Sequence, residues 1–379
     1  MLKIGIIGTG NIAQTHIEAY LAFPELCEIV ALCDIVPAKA EERKQRYGLK
    51  SATVYPAHTD LLGLGLDLVS VCTPPSCHAS ITIDCLGAGI NVLCEKPMAP
   101  SLEECDAMLA AEKASGKLLA TVAQNRFRDD MAMLKEALDS GLVGPVSLLT
   151  VDSAWWRGRS YYDLWWRGTW ESEGGGCTLN HAVHHIDLTL WLMGRPQAIT
   201  AVMTNAQHDN SEVEDLSVAI WTYERALAQI TSSVVSHGEE QSIVVQGRDA
   251  RVSQPWKVIA DAAKPNGFRA DGGNPEKVAQ LEALGAAHQP LAHIGHAGQI
   301  GDILQALGEG RRPLIDGHDG RNTIEAITAI YESAIEHRSV ALPLEAADPY
   351  YQAGYLTSHA PHFFDKENSV ADLEGTISL

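Results

Sequence analysis

Positive charge is scarce in this chain: 28 Lys and Arg stand against 48 Asp and Glu, a formal net charge of −20. Such a surface repels polyphosphate backbones, and no dense Lys/Arg stripe reverses it locally, so nucleic acid is not an expected partner. There is no run of eighteen uninterrupted apolar residues. Met1-Leu2-Lys3 leads straight into a strand-like segment, without the apolar stretch and small-residue cleavage site of an export signal. Membrane insertion and export are therefore not expected. None of the eight cysteines forms a C-x-x-C pair, and most, such as Cys33, Cys72, Cys85 and Cys94, sit in apolar segments. Reduced, mostly buried thiols in a cytoplasmic protein follow from that usage. Internal repeats and long low-complexity tracts are also missing.

What is present is ample apolar material: 46% of 379 residues, enough to fill the cores of two domains. From residue 2 to about 122, short β-rich runs alternate with amphipathic segments, the pattern of βαβ units and a parallel sheet. The strands read as Lys3–Ile7, Ile29–Cys33, Leu68–Cys72, Asn91–Cys94 and Leu118–Val122. Pro37 suits a first helical position, and Ser101-Leu102-Glu103-Glu104 has the form of a capping box for a helix that Gly116 stops. After Gln124-Asn125-Arg126 the pattern changes to longer strands of alternating polarity at Val146–Ser153, Ser217–Thr222, Ala226–Ser233 and Ser242–Gln246. They predict a mostly antiparallel sheet with one covered face. Helices are expected near Asp129–Ser140, His184–Met193, Gly298–Gly308 and Gly320–His337, and residues 261–290 read as a surface excursion. The fold class is thus α/β, divided as 1–123, 124–344 and a C-terminal extension 345–379. Its aromatics, Tyr350, Tyr351, Phe363 and Phe364, suggest a strap over the chain's own surface or a subunit neighbour.

Gly8-Thr9-Gly10-Asn11-Ile12-Ala13 follows an apolar strand and opens a helix, the context that makes this glycine pattern a dinucleotide cradle. Gly8 permits the turn, Gly10 lets backbone approach a pyrophosphate, and Ala13 keeps the helix close to the sheet. The helix N-terminus offers free N–H groups to the phosphates. Asp34 ends the second strand, where a carboxylate accepts from both hydroxyls of the adenosine ribose and repels a 2′-phosphate. The expected cofactor is NAD rather than NADP. Thr73 and Pro74 follow the third strand at the carboxyl edge; His78 beyond them could touch the cofactor or simply start a helix. Lys96, with Glu95 before it and Pro97 after it, leaves the edge of the next strand toward the nicotinamide end, and Glu95 and Lys96 are both candidate cofactor contacts.

About eighty residues on stand Gly174-Gly175-Gly176, then Asn180, His181, His184, His185 and Asp187. Three glycines permit close approach of backbone to a ligand or to the cofactor strand. Asn180, His184 and Asp187 fall at i, i+4 and i+7, one face of a single helix. Oxidation of an alcohol needs a hydride acceptor and a group that removes the hydroxyl proton, and an imidazole suits the second role. His184 is the expected base, Lys96 would stabilise the alkoxide, and Asp187 would hold a neighbouring hydroxyl or the imidazole. Three histidines this close also raise a metal site, but their spacing is not a common three-ligand face, and no metal is expected. Arg126, Trp155, Lys96, Asn180, His184 and Asp187 are the candidate substrate contacts. The segment from Trp155 to Trp170 could stack on sugar faces or could serve packing.

Taken together, the Gly8–Ala13 loop, Cys72-Thr73-Pro74-Pro75 with His78, Glu95-Lys96-Pro97, the glycine triplet with His184 and Asp187, and Gly317 to Tyr331 resemble the glucose-fructose oxidoreductase / inositol dehydrogenase family. The resemblance runs from residue 3 to about 344. It implies an N-terminal Rossmann domain and a C-terminal α/β domain with a large open sheet that forms a homodimer or homotetramer contact. It also implies NAD(P)-dependent chemistry on sugars, cyclitols or their acids. By the same likeness Lys96 and His184 match the catalytic pair, and Trp166 and Arg167 match positions that touch the cofactor. Asn180 departs from the aspartate many members carry there, and Ala182 from a glycine; an amide can orient an imidazole without stabilising its charged form. The resulting expectation is an NAD-dependent dehydrogenase of a secondary hydroxyl. The alternatives are an enzyme that uses tightly held NAD for transient oxidation, or a non-catalytic NAD-binding regulator.

Overall fold

The computed structural model describes residues 1–370. Its first layer forms because short apolar runs are buried on both faces, as parallel strands require: β1 (Leu2–Ile7) hides its last four residues completely. It is followed by α1 (Asn11–Leu21), β2 (Cys27–Cys33), α2 (Pro37–Arg46), β3 (Thr53–Tyr55), β4 (Leu68–Val71), α3 (His78–Gly87), β5 (Asn91–Cys94), α4 (Leu102–Ser115) and β6 (Leu119–Thr121). The six strands are all parallel in the order β3-β2-β1-β4-β5-β6. This is a doubly wound Rossmann sheet whose order reverses between β1 and β4, where ligands of such sheets bind. β3 is too short to stand out in the sequence. The α4 start is as its residues dictate: Ser101 Oγ accepts the Glu104 N–H at 3.2 Å, and Gly116 closes the helix at φ +66°.

The chain continues through α5 (Asp129–Asp139), β7 (Val146–Ala154), α6 (Trp170–Glu173), α7 (Cys177–Asn180), α8 (Val183–Met193), β8 (Ala198–Thr204), β9 (Leu216–Thr222), β10 (Leu227–Ser233), β11 (Ser242–Gly247), β12 (Arg251–Gln254) and β13 (Lys257–Ile259). Then come α9 (Pro275–Ala287), α10 (Gly295–Glu309), α11 (Gly317–Glu336), β14 (Val340–Ala341) and α12 (Tyr355–His359). The second sheet has eight strands in the order β13-β12-β11-β7-β10-β9-β8-β14, antiparallel except for β7 beside β10. β8 and the edge strands β12 to β14 are additions to the strands expected from sequence. The expected surface excursion at 261–290 in fact contains α9, capped by Asn274 and anchored by buried Leu281.

Two features bind the halves together. Ile300, Ile303 and Leu304 of α10 pack into the same apolar cluster as Ile4, Ile17 and Tyr20, so a segment late in sequence completes the first domain's core. The start of α11 lies against β6, with Gly317 against Leu119 and Gly320 against Thr121. The tail lies over the chain's own surface: Trp170 Nε1 donates to Pro361 O at 3.0 Å, and the N–H groups of Glu367 and Asn368 donate to Asn210 Oδ1. Val370 N–H donates to Asp163 O at 2.7 Å. Among the described residues no helix is long and apolar enough to cross a membrane.

Candidate active site

At the β1 end the turn is glycine-dependent: Gly8 has φ +87°, and a Cβ there would meet Cys72 O at 2.6 Å. A Cβ on Gly10 would meet nothing within 4 Å, so the loop faces open space. The first turn of α1 has no side-chain cap and no acidic residue, leaving its N–H groups and positive dipole end free for a diphosphate. The residues present therefore fit a dinucleotide. Asn11 is exposed, Ile12 half-buried and Ala13 buried, as their places in that turn require.

Asp34 stands beside this loop. Its Oδ2 accepts from Thr9 N and Thr9 Oγ1, both at 2.8 Å, and its Oδ1 from Val36 N at 2.8 Å. Burial resists its ionisation, but these hydrogen bonds and the Lys39 charge outweigh it and hold the carboxyl below its ordinary range. It is thus an anion with acceptor capacity left over. Arg43, which carried no signal in the sequence, reaches back from α2 to donate from Nε to Thr9 O at 3.3 Å. Asp34→Ala should raise the KM for NAD about 10-fold to 100-fold, the loss of a charge-assisted hydrogen bond, and narrow the preference over NADP. Steady-state kinetics with both cofactors measures this; an unchanged NAD/NADP ratio would remove Asp34 from the cofactor site.

Two expected cofactor contacts turn inward instead. His78 is fully buried, with Nδ1 2.9 Å from Pro97 O and Nε2 2.8 Å from Thr73 O. It staples the two loops at the sheet edge, and burial holds it below the usual imidazole range. Glu95 is likewise buried, its carboxylate on His16 Nε2 at 2.8 Å rather than facing the cleft. Thr73 and Pro74 do lie at the open edge, Thr73 half-buried and Pro74 exposed.

Lys96 and His184 line one cavity at the carboxyl edge of the first sheet, together with Asp187, Val183, Thr121 and Thr323. Burial pushes the Lys96 ammonium below its ordinary range, opposed by Glu95 and aided by Arg167. Burial, followed by the charge of Lys96, pushes His184 well below the usual imidazole value. A neutral imidazole thus faces a cation across a small cleft.

Asn180 is not on the His184 helix. α7 ends at Asn180, the chain breaks at His181 and Ala182, and α8 begins at Val183. Asn180 Nδ2 donates instead to Gly175 O at 2.6 Å and Gly176 O at 3.2 Å, fixing the glycine loop. The glycines themselves approach the chain rather than a ligand. A Cβ on Gly176 would collide with the Glu214 carbonyl, and one on Gly175 with the Tyr331 hydroxyl. Glu214, fully buried and without a signal in the sequence, accepts from Gly176 N at 3.0 Å, Thr178 N at 2.9 Å and Tyr331 OH at 3.0 Å. This anchor holds the start of α7.

Asp187 also differs from expectation. It holds neither a free hydroxyl position nor the imidazole but a bidentate pair with Arg126 at 2.9 and 2.7 Å, and Arg126 continues to Asp319 at 3.0 Å. Arg126 is 5% exposed, so both expected substrate contacts are largely committed to tying the β6 edge, α8 and α11 together. Removing one partner of such a buried pair costs about 3–5 kcal/mol.

The aromatic segment forms a wall. Trp155 lies 5.9 Å from the His181 ring, and Tyr161 OH is 3.4 Å from His181 Nε2. Arg167 is 2% exposed, pairs with Glu173 at 2.5 Å and stacks on Tyr161 and half-buried Trp166 at 4.1 and 4.0 Å. Its Nε has no hydrogen-bond partner among the described residues. His181 and His185 are both buried; His185 is pushed down to about 4 by burial and Arg128. His16, Glu95 and His296 place ligand-type atoms within 4.8 Å of one another. The 2.8 Å separation of His16 Nε2 and Glu95 Oε1 is hydrogen-bond spacing. Ligands on a tetrahedral ion with bonds of 2.0–2.1 Å would lie about 3.3 Å apart.

A doubly wound sheet with an open glycine loop, a carboxylate at the end of β2 and a lysine at the carboxyl edge defines an NAD-binding oxidoreductase. The family model described as oxidoreductase family, NAD-binding Rossmann fold, matches residues 2–123, and the GFO/IDH/MocA C-terminal domain matches residues 131–253. The chain belongs to this Gfo/Idh/MocA family. It is 30% identical over 195 residues to D-glucoside 3-dehydrogenase of Escherichia coli (strain K12), covering 52% of this chain and 55% of that one. It is 23% identical to inositol 2-dehydrogenase of Rhizobium meliloti (strain 1021), covering 90% and 99%. The WlbA dehydrogenase of Bordetella pertussis, solved with NADH and UDP-GlcNAcA, superposes with a TM-score of 0.75 at 27% identity, covering 91% of this chain and 99% of that one.

Proposed function

We propose that this protein is an NAD-dependent dehydrogenase of a secondary hydroxyl on a sugar, cyclitol or sugar acid, with His184 as general base and Lys96 stabilising the developing alkoxide. The observation that carries this is the convergence of the two side chains on one cavity at the carboxyl edge of the Rossmann sheet. The relatives named for glucoside and inositol oxidation favour the same substrate class.

When bound, NAD supplies the hydride acceptor. His184, neutral at pH 7 because burial and Lys96 disfavour its charged form, has a ring nitrogen free to take the hydroxyl proton. Lys96 donates to the same oxygen as negative charge grows on it, which a water-poor cleft strengthens. Asn180 acts at one remove, by fixing the glycine loop that leads into α7, the helix before α8. Asp187 does so by holding α8 to Arg126.

The direct test is formation of NADH by purified protein with a panel of such polyols. Lys96→Ala and His184→Ala proteins that both turn over as fast as wild type would overturn the assignment. The pH profile supplies a second check. His184 must be unprotonated, and its proton affinity is lowered, so the acid limb of kcat should fall below the free imidazole value of about 6.5. Lys96 must be protonated, and its affinity is also lowered, so the alkaline limb should fall below about 10.4. An acid limb above the free imidazole value would exclude His184 as the base.

We further propose that a second copy covers the outer face of the eight-stranded sheet. On that face Val202, Ile220, Leu227 and Leu148, from four strands, are 63%, 36%, 45% and 36% exposed, and register places them on one side. Unpaired thiols at all eight cysteines favour a reducing compartment such as the cytoplasm.

A further inference from the structure

A buried hydrogen-bonded chain crosses the first domain behind Lys96. Tyr20 OH lies 2.8 Å from Ser70 Oγ, which lies 3.0 Å from His16 Nδ1; His16 Nε2 then meets Glu95 Oε1 at 2.8 Å. The other carboxylate oxygen, Oε2, accepts the backbone N–H of Lys96 at 3.0 Å. His296, brought by the first turn of α10, points Nε2 at Glu95 Oε1 from 3.6 Å, too far to bond, and that nitrogen has no partner among the described residues.

Proton positions follow by elimination. Burial opposes ionisation of Glu95, yet the imidazoles of His16 and His296 overcome it and hold the carboxyl well below its usual range. An ionised carboxylate only accepts, so His16 Nε2 carries the hydrogen. Burial keeps His16 neutral, so Nδ1 must accept from Ser70, which in turn accepts from Tyr20. All of these donors are neutral. They satisfy the lone pairs of Glu95 without cancelling its charge, and a buried charge without a counter-charge is costly.

The charged and titratable groups around the pair are few. Glu95 faces His16 from α1, His296 from α10, His78 from α3, His184 from α8, and the Cys72 and Cys94 thiols, which burial keeps protonated. Lys96 faces Glu95, Arg167, His181 and His184, and among these Glu95 alone favours its charged form.

We infer that Glu95 is the buried counter-charge that keeps Lys96 an ammonium inside the cleft, with His16 the positioning residue that aims the carboxylate. The inference rests on the dehydrogenase reading for its kinetic consequence only. Glu95 then has no contact with the cofactor, and the Tyr20-Ser70-His16 chain serves to hold one carboxylate rotamer ionised beside the lysine.

The test uses the full-length protein with bound NAD. Glu95→Gln should move the alkaline limb of kcat down by at least one pH unit, about tenfold in proton affinity, with little change in the KM for NAD. His16→Leu should move it the same way, while His16→Gln, whose amide can replace the Nε2 hydrogen bond, should restore it. An unmoved limb, or a raised KM for NAD with the limb in place, overturns the inference. The pH dependence of Lys96 acylation, followed by mass spectrometry in wild type and His16→Leu, reads the same proton without turnover and remains available if Glu95→Gln does not fold. Equal midpoints in the two proteins would sink the proposal. So would one equivalent of divalent metal retained by the purified protein, because an ion between His16, Glu95 and His296 would neutralise the carboxylate. A wild type that oxidises no polyol defeats the dehydrogenase reading, and the acylation titration still decides on Glu95.

Discussion

Lys96→Met and His184→Ala are each expected to lower kcat by about 10²–10⁴-fold, the range for loss of a general base or of an electrostatic donor to a developing oxyanion. The two side chains line the same cavity, and in the proposed mechanism they act on one carbon–oxygen bond, so the double variant should fall well short of the product of the single losses. The cofactor cradle, built from the Gly8 turn and the Asp34 carboxylate, is untouched by either change, so NAD affinity read by fluorescence titration should stay within about threefold. Fully additive losses would mean that the two groups serve separate steps. The comparison therefore tests convergence itself, which distance in sequence could not establish.

Gly176→Ala is expected to be the most damaging single methyl in the protein, costing about 3 kcal/mol or more. A Cβ there would run into the carbonyl oxygen of Glu214 and crowd its carboxylate, which lies 2.7 Å away. Neither is the free end of a flexible side chain: the carbonyl accepts the Cys177 N–H at 3.1 Å, and the carboxylate is fixed by three hydrogen bonds. Overpacking a site that cannot relax costs about 1–3 kcal/mol and sometimes more. Displacing Glu214 would also leave buried donors unpaired. Chemical denaturation of the variant measures the loss, and a shift below about 1 kcal/mol would show that the loop yields. His184 follows eight residues later, so activity should fall even at temperatures where the variant remains folded.

The parts of this fold that are legible in the sequence are those governed by local rules. Ser101 and Glu104 at one end and Gly116 at the other fix α4, because caps satisfy backbone groups within a few residues. α11 starts three residues before the expected Gly320, because its cap is Asp316, which forms a box with Asp319. β3, β12, β13 and β14 run for only 3, 4, 3 and 2 residues, too short for any periodicity to show. Asn180 fits a helical face by count, yet α7 ends there and α8 begins at Val183, a break that residue spacing does not reveal. One signal for His16 is available. Ala13, His16, Ile17 and Tyr20 form the inward stripe of α1, and two polar side chains on a buried stripe imply partners.

By itself, the chain's order of residues determined the βαβ alternation, the glycine turn beside a free helix end and the acid at the end of the second strand. These depend on periodicity, on backbone sterics and on charges a few residues apart. Only the tertiary structure decided that Glu95 and His78 face inward, that Arg126 and Asp187 spend their charges on each other, and that the glycine triplet makes room for Glu214 and Tyr331 rather than for a ligand. A buried polar group must find its partner wherever the fold places one, and most of those partners, such as Glu95 with His16, Asp187 with Arg126 and Arg126 with Asp319, are 61 to 193 residues apart, beyond the reach of any local rule.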